Sequence, residues 1–174
     1  MQATALMFEV ARPADDAFDR VVREREEQLL RIACRILGNW ADAEEVVQDA
    51  FVRLHRHGVN FPSEIVLGSW LYRVTVNLCI DRTRRAHPAE QLGEIRAPDP
   101  SAEADLLRDE RKRLLMAALT TLPAKERAAV VLREIEGLAT ADVAAILGSS
   151  EVTVRTQISR ALVRLRGVLE KGRL

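Results

Sequence analysis

Residues 68–85 read GSWLYRVTVNLCIDRTRR, and their spacing predicts one helix of about five turns. Its apolar residues recur at steps of three and four, as they do on the buried face of a helix. They are Trp70, Leu71, Val74, Leu78 and Cys79. A second face carries Arg73, Asn77, Asp81 and Arg84. This face suits a nucleic-acid partner, and it equally suits a core helix whose arginines are solvated.

The composition predicts an all-α protein. The chain has 174 residues, of which 48% are hydrophobic, 30% charged and only 4% aromatic. This length fits one ordinary domain or two small ones. Alternating runs of β-branched and aromatic residues, which predict strands, are nearly absent. No apolar run is long enough to cross a bilayer and no signal sequence opens the chain, so we expect a cytoplasmic protein without membrane insertion.

Charge is distributed unevenly along the chain. Residues 87–105 carry one basic and five acidic residues, whereas residues 106–174 carry 13 basic and eight acidic ones. Residues 87–104 also contain three prolines, which is typical of a linker. We therefore predict a flexible N-terminus over residues 1–14, a helical domain over 15–86, a flexible linker over 87–104 and a second helical domain over 105–174.

The first domain is predicted to contain two further helices before residue 68. One begins at Asp15 or Asp16 and ends at Leu37, before Gly38. The next opens with Asn39 and Asp42 in the spacing of a capping box and runs to His57, before Gly58. The predicted buried residues are Val22, Leu29, Ile32, Ala33 and Ile36 in the first helix, and Val46, Val47, Ala50, Phe51 and Leu54 in the second.

The second domain contains a pattern typical of a helix-turn-helix. A helix over 105–119 and another from Pro123 to Glu136 precede a short helix over 142–147, which Thr140 would cap. Gly148, Ser149 and Ser150 form a tight turn, and a last helix runs from Glu151 to about Leu169. Its predicted inward residues are Val154, Ile158, Leu162, Leu165 and Leu169. A helical hairpin without a DNA partner could give the same pattern, but the arginines and hydroxyls near the helix start favour DNA.

No catalytic or metal site is predicted. Cys34 and Cys79 lie on apolar helical faces without metal-ligand spacing, and we expect buried thiols. His55, His57 and His87 have no nucleophile or metal partner in sequence, and no glycine-rich phosphate loop is present. We expect a protein that is not an enzyme and has no cofactor.

Three blocks of sequence together resemble the extracytoplasmic-function (group IV) sigma factors of bacterial RNA polymerase. They are LLRIACRILGNWADAEEVVQDAFVRL (Leu29 to Leu54), SWLYRVTVNLCIDRTRR (Ser69 to Arg85) and LTTLPAKERAAVVLREIEGLATADVAAILGSSEVTVRTQISRALVRLR (Leu119 to Arg166). The resemblance implies a region 2 helical bundle and a region 4 helix-turn-helix joined by the linker. It also implies a protein that acts in transcription initiation and regulation.

The resemblance implies three binding surfaces. One docks on the clamp helices of the polymerase's largest subunit through Glu45, Gln48, Asp49 and Val52, where an ordinary solvated acidic face is the alternative. A second melts the minus-ten element and holds one flipped base between Asn77 and a wall of Phe61 and the loop to Leu67. Its DNA-binding residues are Phe61, Trp70, Arg73, Asn77, Arg82, Arg84 and Arg85. The third reads the minus-thirty-five element through Ser150, Thr153, Arg155, Thr156, Ser159 and Arg160.

Further partners follow from the same resemblance. They are the flap of core polymerase and an anti-sigma factor. The resemblance also implies that residues 98–102 of the linker pass near the polymerase active site. The chain departs from the family pattern at Ala141, Asp142 and Gln157, so no promoter sequence is transferred from a relative. The rival hypothesis is a stand-alone helix-turn-helix regulator that binds duplex DNA as a dimer.

Overall fold

The computed structural model describes residues 13–85 and 103–171, and every regular element within these ranges is helical. The first half contains α1 (Pro13–Leu37), α2 (Trp40–His57) and α3 (Glu64–Arg85). The second half contains α4 (Glu103–Thr120), α5 (Ala124–Val130) with a π-helical turn at Val131–Ile135, α6 (Thr140–Leu147) and α7 (Glu151–Lys171). The all-α prediction is confirmed. The predicted flexible N-terminus and linker lie largely outside the described residues.

Capping residues set the helix ends in the first half. The Asn39 side chain accepts a hydrogen bond from the Asp42 amide at 2.7 Å, which satisfies a free donor in the first turn of α2. Gly58 ends this helix with φ of 87°, a conformation open to glycine because it lacks a Cβ atom. These predictions are confirmed. Helix α1 begins at Pro13, slightly before the predicted start, and buries Val21 where we expected Val22.

Helix α3 differs from its prediction in two respects. It begins at Glu64, because the Ser63 hydroxyl accepts a hydrogen bond from the Val66 amide, so residues 64–67 are not loop. Its fully buried face also includes Thr75, Val76 and Ile80, while Trp70, Val74 and Leu78 are only partly buried. The reason is that α3 packs against α1 and α2 and also against α5 and α6, so more than one face is covered.

Helix starts in the second half also shift by a residue or two. Pro123 precedes α5, where we placed it in the first turn. Thr140 is the first residue of α6 and makes no capping hydrogen bond, so its predicted role as a cap was wrong.

In α7 the buried face comprises Val154, Ile158, Ala161 and Leu165, whereas Leu162 and Leu169 are exposed. The predicted stripe takes two steps of four in succession, from Val154 through Ile158 to Leu162, whereas the 3.6-residue period of a helix returns to the buried face at Ala161.

The two halves pack against each other and share one apolar core. Helix α3 contacts α5 and α6, and α1 contacts α4, α5 and the π-helical turn. Arg35 on α1 forms an ion pair with Glu136. The Arg127 guanidinium on α5 donates a hydrogen bond to the Ile36 carbonyl oxygen at 2.6 Å. The sequence did not predict this arrangement, which we call the docked form.

Gly38 provides a test of the docked form in solution. Its φ is 86°, and a Cβ atom there would lie 2.5 Å from the Thr120 Cγ2 methyl of the other half. Gly38→Ala should lower the free energy of unfolding by about 1–2 kcal/mol for backbone strain and by a further ~1–3 kcal/mol for the overlap. Urea unfolding would measure both contributions.

Thr120→Ser is the matched background for this substitution. It removes the methyl group and keeps the hydroxyl, which donates to the Ala117 carbonyl oxygen at 2.7 Å. In this background Gly38→Ala should retain only the backbone penalty. An equal loss in both backgrounds would show that the two halves do not make this contact in solution.

Candidate nucleic-acid and protein interfaces

The outer face of α2 carries the four residues predicted to dock on a protein partner. Glu45, Gln48, Asp49 and Val52 are all exposed, because the opposite face of α2 is buried against α1 and α3. Val52 is 47% exposed although its side chain is apolar. The face therefore combines negative charge with one exposed aliphatic group.

Arg82 links this face to α3. Its guanidinium contacts Asp42 and lies 2.7 Å from the Glu45 carboxylate, so it joins the end of α3 to the first turns of α2. Desolvation lowers the pKa of Arg82, but hydrogen bonds to Asp42 and Glu45 and the charges of those carboxylates outweigh it and raise the pKa. One predicted minus-ten residue and one predicted docking residue are therefore ion-paired with each other.

The polar face of α3 lies open to solvent. Arg73, Asn77, Arg84 and Arg85 are exposed, and Trp70 at the start of the same face is half-buried. Trp70 and Asn77 are seven residues apart, so they lie on nearly the same side of the helix at roughly 10 Å along its axis. This face presents an aromatic ring, a guanidinium and an amide in succession, groups that can stack on bases, pair with phosphates and hydrogen-bond to base edges.

Three aromatic rings meet beside this face. The centroids of Phe61 and Trp70 lie 5.7 Å apart, so two predicted minus-ten residues are brought together. His57 stacks on Phe61 at 5.0 Å with an interplanar angle of 20°, and it lies 5.2 Å from Trp70. Sequence reasoning considered His57 only as a metal ligand or catalytic group and missed this contact. Its position four residues before Phe61, across a glycine, was the available signal.

The second half contains the predicted helix-turn-helix. Gly148 adopts the left-handed conformation between α6 and α7, with φ of 59° and ψ of 46°. Ser150 caps α7 by accepting a hydrogen bond from the Thr153 amide at 3.1 Å, and the two hydroxyls lie 2.8 Å apart. These two predicted DNA-binding side chains therefore also hold the start of α7.

The other four predicted residues of α7 share exposure to solvent. They are Arg155, Thr156, Ser159 and Arg160. Arg155 pairs with Glu151 at 2.7 Å one turn earlier, and the Thr156 hydroxyl donates to the Val152 carbonyl oxygen at 3.0 Å. Val152 itself is 68% exposed, an apolar group beside the polar ones that sequence reasoning missed. Such a face can offer both hydrogen bonds and a methyl contact to base edges in a major groove.

A groove of about 570 Å³ lies along the seam between the halves. Trp70, Tyr72 and Arg73 line it from α3, and Asp142 and Ile146 line it from α6. Desolvation raises the pKa of Tyr72, and the nearby Glu136 carboxylate raises it further. In the docked form the first turns of the polar face of α3 therefore lie opposite the first helix of the helix-turn-helix.

Burial raises the pKa of both cysteine thiols. Cys79 is fully buried and Cys34 is partly buried, and both are free. Over residues 13–85 and 103–171, His, Cys, Asp and Glu side chains form no group of three that could hold a metal ion. None of the helices in these ranges has the length and apolar character required to cross a membrane.

Two family profiles match the chain. Sigma-70 region 2 matches residues 21–88, and Sigma-70, region 4 matches residues 112–165. The chain is 37% identical to the ECF RNA polymerase sigma factor SigM of Mycobacterium tuberculosis over 162 residues, which cover 90% of this chain and 80% of the relative. It is 30% identical to the ECF RNA polymerase sigma factor SigW of Bacillus subtilis, with 91% of each chain covered.

Solved structures give the same relationship. The fold matches CnrH in its complex with the cytosolic domain of CnrY, with a TM-score of 0.65, 26% identity and coverage of 90% of this chain and 89% of the other. It matches the Bartonella quintana sigma factor RpoE, bound to the anti-sigma factor NepR, with a TM-score of 0.65 and 25% identity. That match covers 88% of this chain and 96% of the other.

Proposed function

The chain belongs to the extracytoplasmic-function sigma factors, which are non-catalytic specificity subunits of bacterial RNA polymerase, and from this we propose how it selects promoters. It binds core polymerase through α2 and the flap through its second half, melts the minus-ten element with α3, and reads the minus-thirty-five element with α7. Because promoter DNA lies in the cytoplasm of a bacterium, the protein acts there. One observation carries the proposal: Arg73 and Asn77 lie exposed on one face of α3, while other sides of the helix, with Leu71 and Val76, are buried.

The docking role of α2 is supported by its exposed acidic face and by Val52. An apolar side chain within a ring of polar groups is a common centre of a protein interface, because it gains from burial while the rim excludes water. The ion pair between Arg82 and Glu45 orients the start of this face. Asp49 and Val52 would then make the contacts with the clamp helices.

The minus-ten role of α3 is supported by its succession of groups. Removing a base from the DNA stack costs a few kcal/mol of free energy, which stacking on protein side chains and hydrogen bonds to an amide can offset. Trp70 and Phe61 provide the apolar wall, and Asn77 provides the amide two turns along the same face. Arg73, Arg84 and Arg85 would contact backbone phosphates, which position the strand and make binding depend on salt.

The minus-thirty-five role of α7 is supported by its exposed first turns. Arg155, Ser159 and Arg160 would reach base edges, where a guanidinium can make two hydrogen bonds to guanine. The ion pair of Arg155 with Glu151 is exposed, and such pairs contribute little stability, so the guanidinium can exchange partners at little cost.

Reading both elements at once requires the two halves to separate. The two elements lie about 25 base pairs apart by their names, which at ~3.4 Å per base pair is about 85 Å. A folded chain of this length has a radius of gyration of only about 15 Å. The 17 residues between 85 and 103 can span at most about 60 Å when extended. The docked form therefore cannot engage both elements, and we propose that the two halves move apart on the extended linker when the chain binds a promoter.

An anti-sigma factor is the proposed regulator. Of its structural relatives, RpoE was solved in complex with the anti-sigma factor NepR, and CnrH in complex with the cytosolic domain of CnrY. A partner that held the halves in the docked form, or covered the outer face of α2, would prevent promoter reading. Within the described residues, the chain has no group of His, Cys, Asp and Glu side chains that could hold a metal ion. Any sensing of a metal ion would therefore belong to the partner.

Co-elution with core polymerase followed by run-off transcription tests the proposal. The chain should form a stoichiometric complex with core and start transcription from a subset of a promoter library. A chain that shifts duplex DNA at nanomolar concentration without binding core would instead be the stand-alone regulator. That outcome would refute the proposal.

Asn77→Ala should reduce discrimination among minus-ten variants while core binding stays intact. The loss of one amide that pairs with a base edge corresponds to about 1–3 kcal/mol, or roughly 5- to 150-fold between the preferred and other bases. Run-off transcription from promoters that differ at single minus-ten positions measures this. Asp81→Ala, on the same face one turn later, is the matched control. Unchanged discrimination in Asn77→Ala would refute the base pocket.

A further inference from the structure

His57, Phe61 and Trp70 form a cluster of three rings where the end of α2 meets α3. Phe61 and Trp70 are half-buried and close the loop between α2 and α3. The His57 side chain is exposed, so it contributes little to this closure. One face of its ring covers Phe61, with centroids 5.0 Å apart. Trp70 lies 5.2 Å from the same ring at an angle of 43°, so we infer that the exposed part of the His57 ring is the part on which a planar ligand stacks.

The backbone sets the position of His57 in advance. The Gly58 amide donates to the Leu54 carbonyl oxygen at 2.8 Å, and its φ of 87° turns the chain so that Phe61 returns beneath His57. His57 Nδ1 lies 3.2 Å from the Gly58 carbonyl oxygen. Because a carbonyl can only accept, Nδ1 carries the hydrogen in this contact, and Nε2 of the neutral ring is left as an acceptor. The ring thus offers a stacking face and one acceptor.

Charge near the cluster suits a nucleic-acid strand. Arg56 is exposed next to His57 at the end of α2, and Arg73 is exposed one turn after Trp70. Stacking faces flanked by cationic groups are the common design of single-strand binding sites, because every base has a π-face and every nucleotide a phosphate. A double-stranded segment does not fit such a site, since its bases are already stacked.

We propose that His57 is a nucleic-acid contact, on which an unpaired base of the melted minus-ten strand stacks. This inference rests on the proposed function and extends the α3 surface to the end of α2. The base next to the one held by Asn77 is the natural ligand, because Trp70 lies between His57 and the polar face of α3. Nε2 accepts a hydrogen bond from a ring N–H or an exocyclic amino group of that base.

Three substitutions at His57 distinguish the effect of base stacking from the effect of side-chain volume. His57→Ala removes the ring, His57→Leu keeps apolar volume without a π-face, and His57→Phe keeps the π-face without the acceptor. The assay is the fluorescence of 2-aminopurine placed in the minus-ten non-template strand, measured with holoenzyme on promoter DNA. We expect roughly 5- to 100-fold less open complex for His57→Ala and His57→Leu. His57→Phe should retain most of the wild-type level.

His55→Ala is the matched control. His55 is exposed on the same helix, but its ring packs edge-on against Phe18 at 5.2 Å on another side of α2. It should open promoters as the wild type does. Wild-type opening by His57→Ala, or a defect in His57→Phe as large as that in His57→Ala, would overturn the stacking role. If His57→Ala does not fold, the comparison of His57→Leu with His57→Phe decides in the same way.

The failure of this inference differs from the failure of the proposed function. If the wild-type chain does not bind core or open any promoter, the sigma-factor mechanism is wrong, and His57 has no strand to contact. If the wild type opens promoters and all three His57 variants do so equally, only the stacking role is wrong. Core binding by gel filtration, measured for each variant, should be the same throughout.

Discussion

Replacing Arg127 with methionine should lower the free energy of unfolding by about 3–5 kcal/mol, which is the usual effect of breaking a buried charged interaction. Arg127 is 1% exposed. Its guanidinium donates to three backbone carbonyl oxygens, those of Ile36 at 2.6 Å, Thr120 at 2.5 Å and Leu122 at 3.0 Å. Methionine fills similar volume but donates no hydrogen bond, so the substitution isolates the polar contribution.

The physical reason lies at the ends of two helices. Ile36 and Thr120 are in the last turns of α1 and α4, where carbonyl oxygens lack partners within the helix and carry partial negative charge. Arg127 satisfies both ends at once and so fixes them to each other and to α5. Desolvation lowers its pKa to about 10, which still leaves the group charged at neutral pH. Without it, each buried carbonyl costs roughly 1–3 kcal/mol.

Lys125→Met is the matched control, because Lys125 is exposed in the first turn of the same helix. Urea unfolding followed by circular dichroism should show less than about 0.5 kcal/mol of change for this surface substitution. Arg127→Lys should fall between the two, since an ammonium group cannot reach three carbonyls in the planar geometry of a guanidinium. A change below about 1 kcal/mol for Arg127→Met would contradict the buried role.

Local signals were sufficient to predict most helix ends. Asn39, Gly58 and Ser150 act through groups within four residues, so their roles follow from the sequence alone. The buried face of α3 did not follow, because it depends on which helices pack around it. Thr75 and Val76 are fully buried in a helix that packs against α5 and α6 of the second half as well as against α1 and α2.

Exposure at the candidate site was also predictable, whereas pairing across the fold was not. Arg73, Asn77 and Arg160 are exposed as the periodicity predicts. Arg82 was predicted to bind DNA with them, yet its guanidinium is held by Asp42, which is 40 residues earlier in the chain. His57 was missed for a related reason, since its stacking depends on how the chain turns at Gly58. The roles that we assign to these residues on DNA stay predictions.

The second large effect is expected at the outer face of α2, where Val52→Asp should weaken binding to core polymerase by roughly 100-fold or more. Val52 is 47% exposed and has acidic neighbours. In the free chain a charge at this position costs little, because water solvates it. In the complex the same charge would be desolvated without a partner, which costs about 3 kcal/mol or more. The measurement is a fluorescence-anisotropy titration of labelled chain with core enzyme.

Val66→Asp is the matched control, because Val66 is 44% exposed on α3 in the same half of the protein. It introduces the same charge at nearly the same exposure but on another face, so the affinity for core should change less than about threefold. Both variants should unfold within about 0.5 kcal/mol of the wild type, since neither side chain is buried in the free chain. If Val52→Asp and Val66→Asp bind core equally well, α2 does not dock through this face, and the acidic residues around Val52 are only solvated.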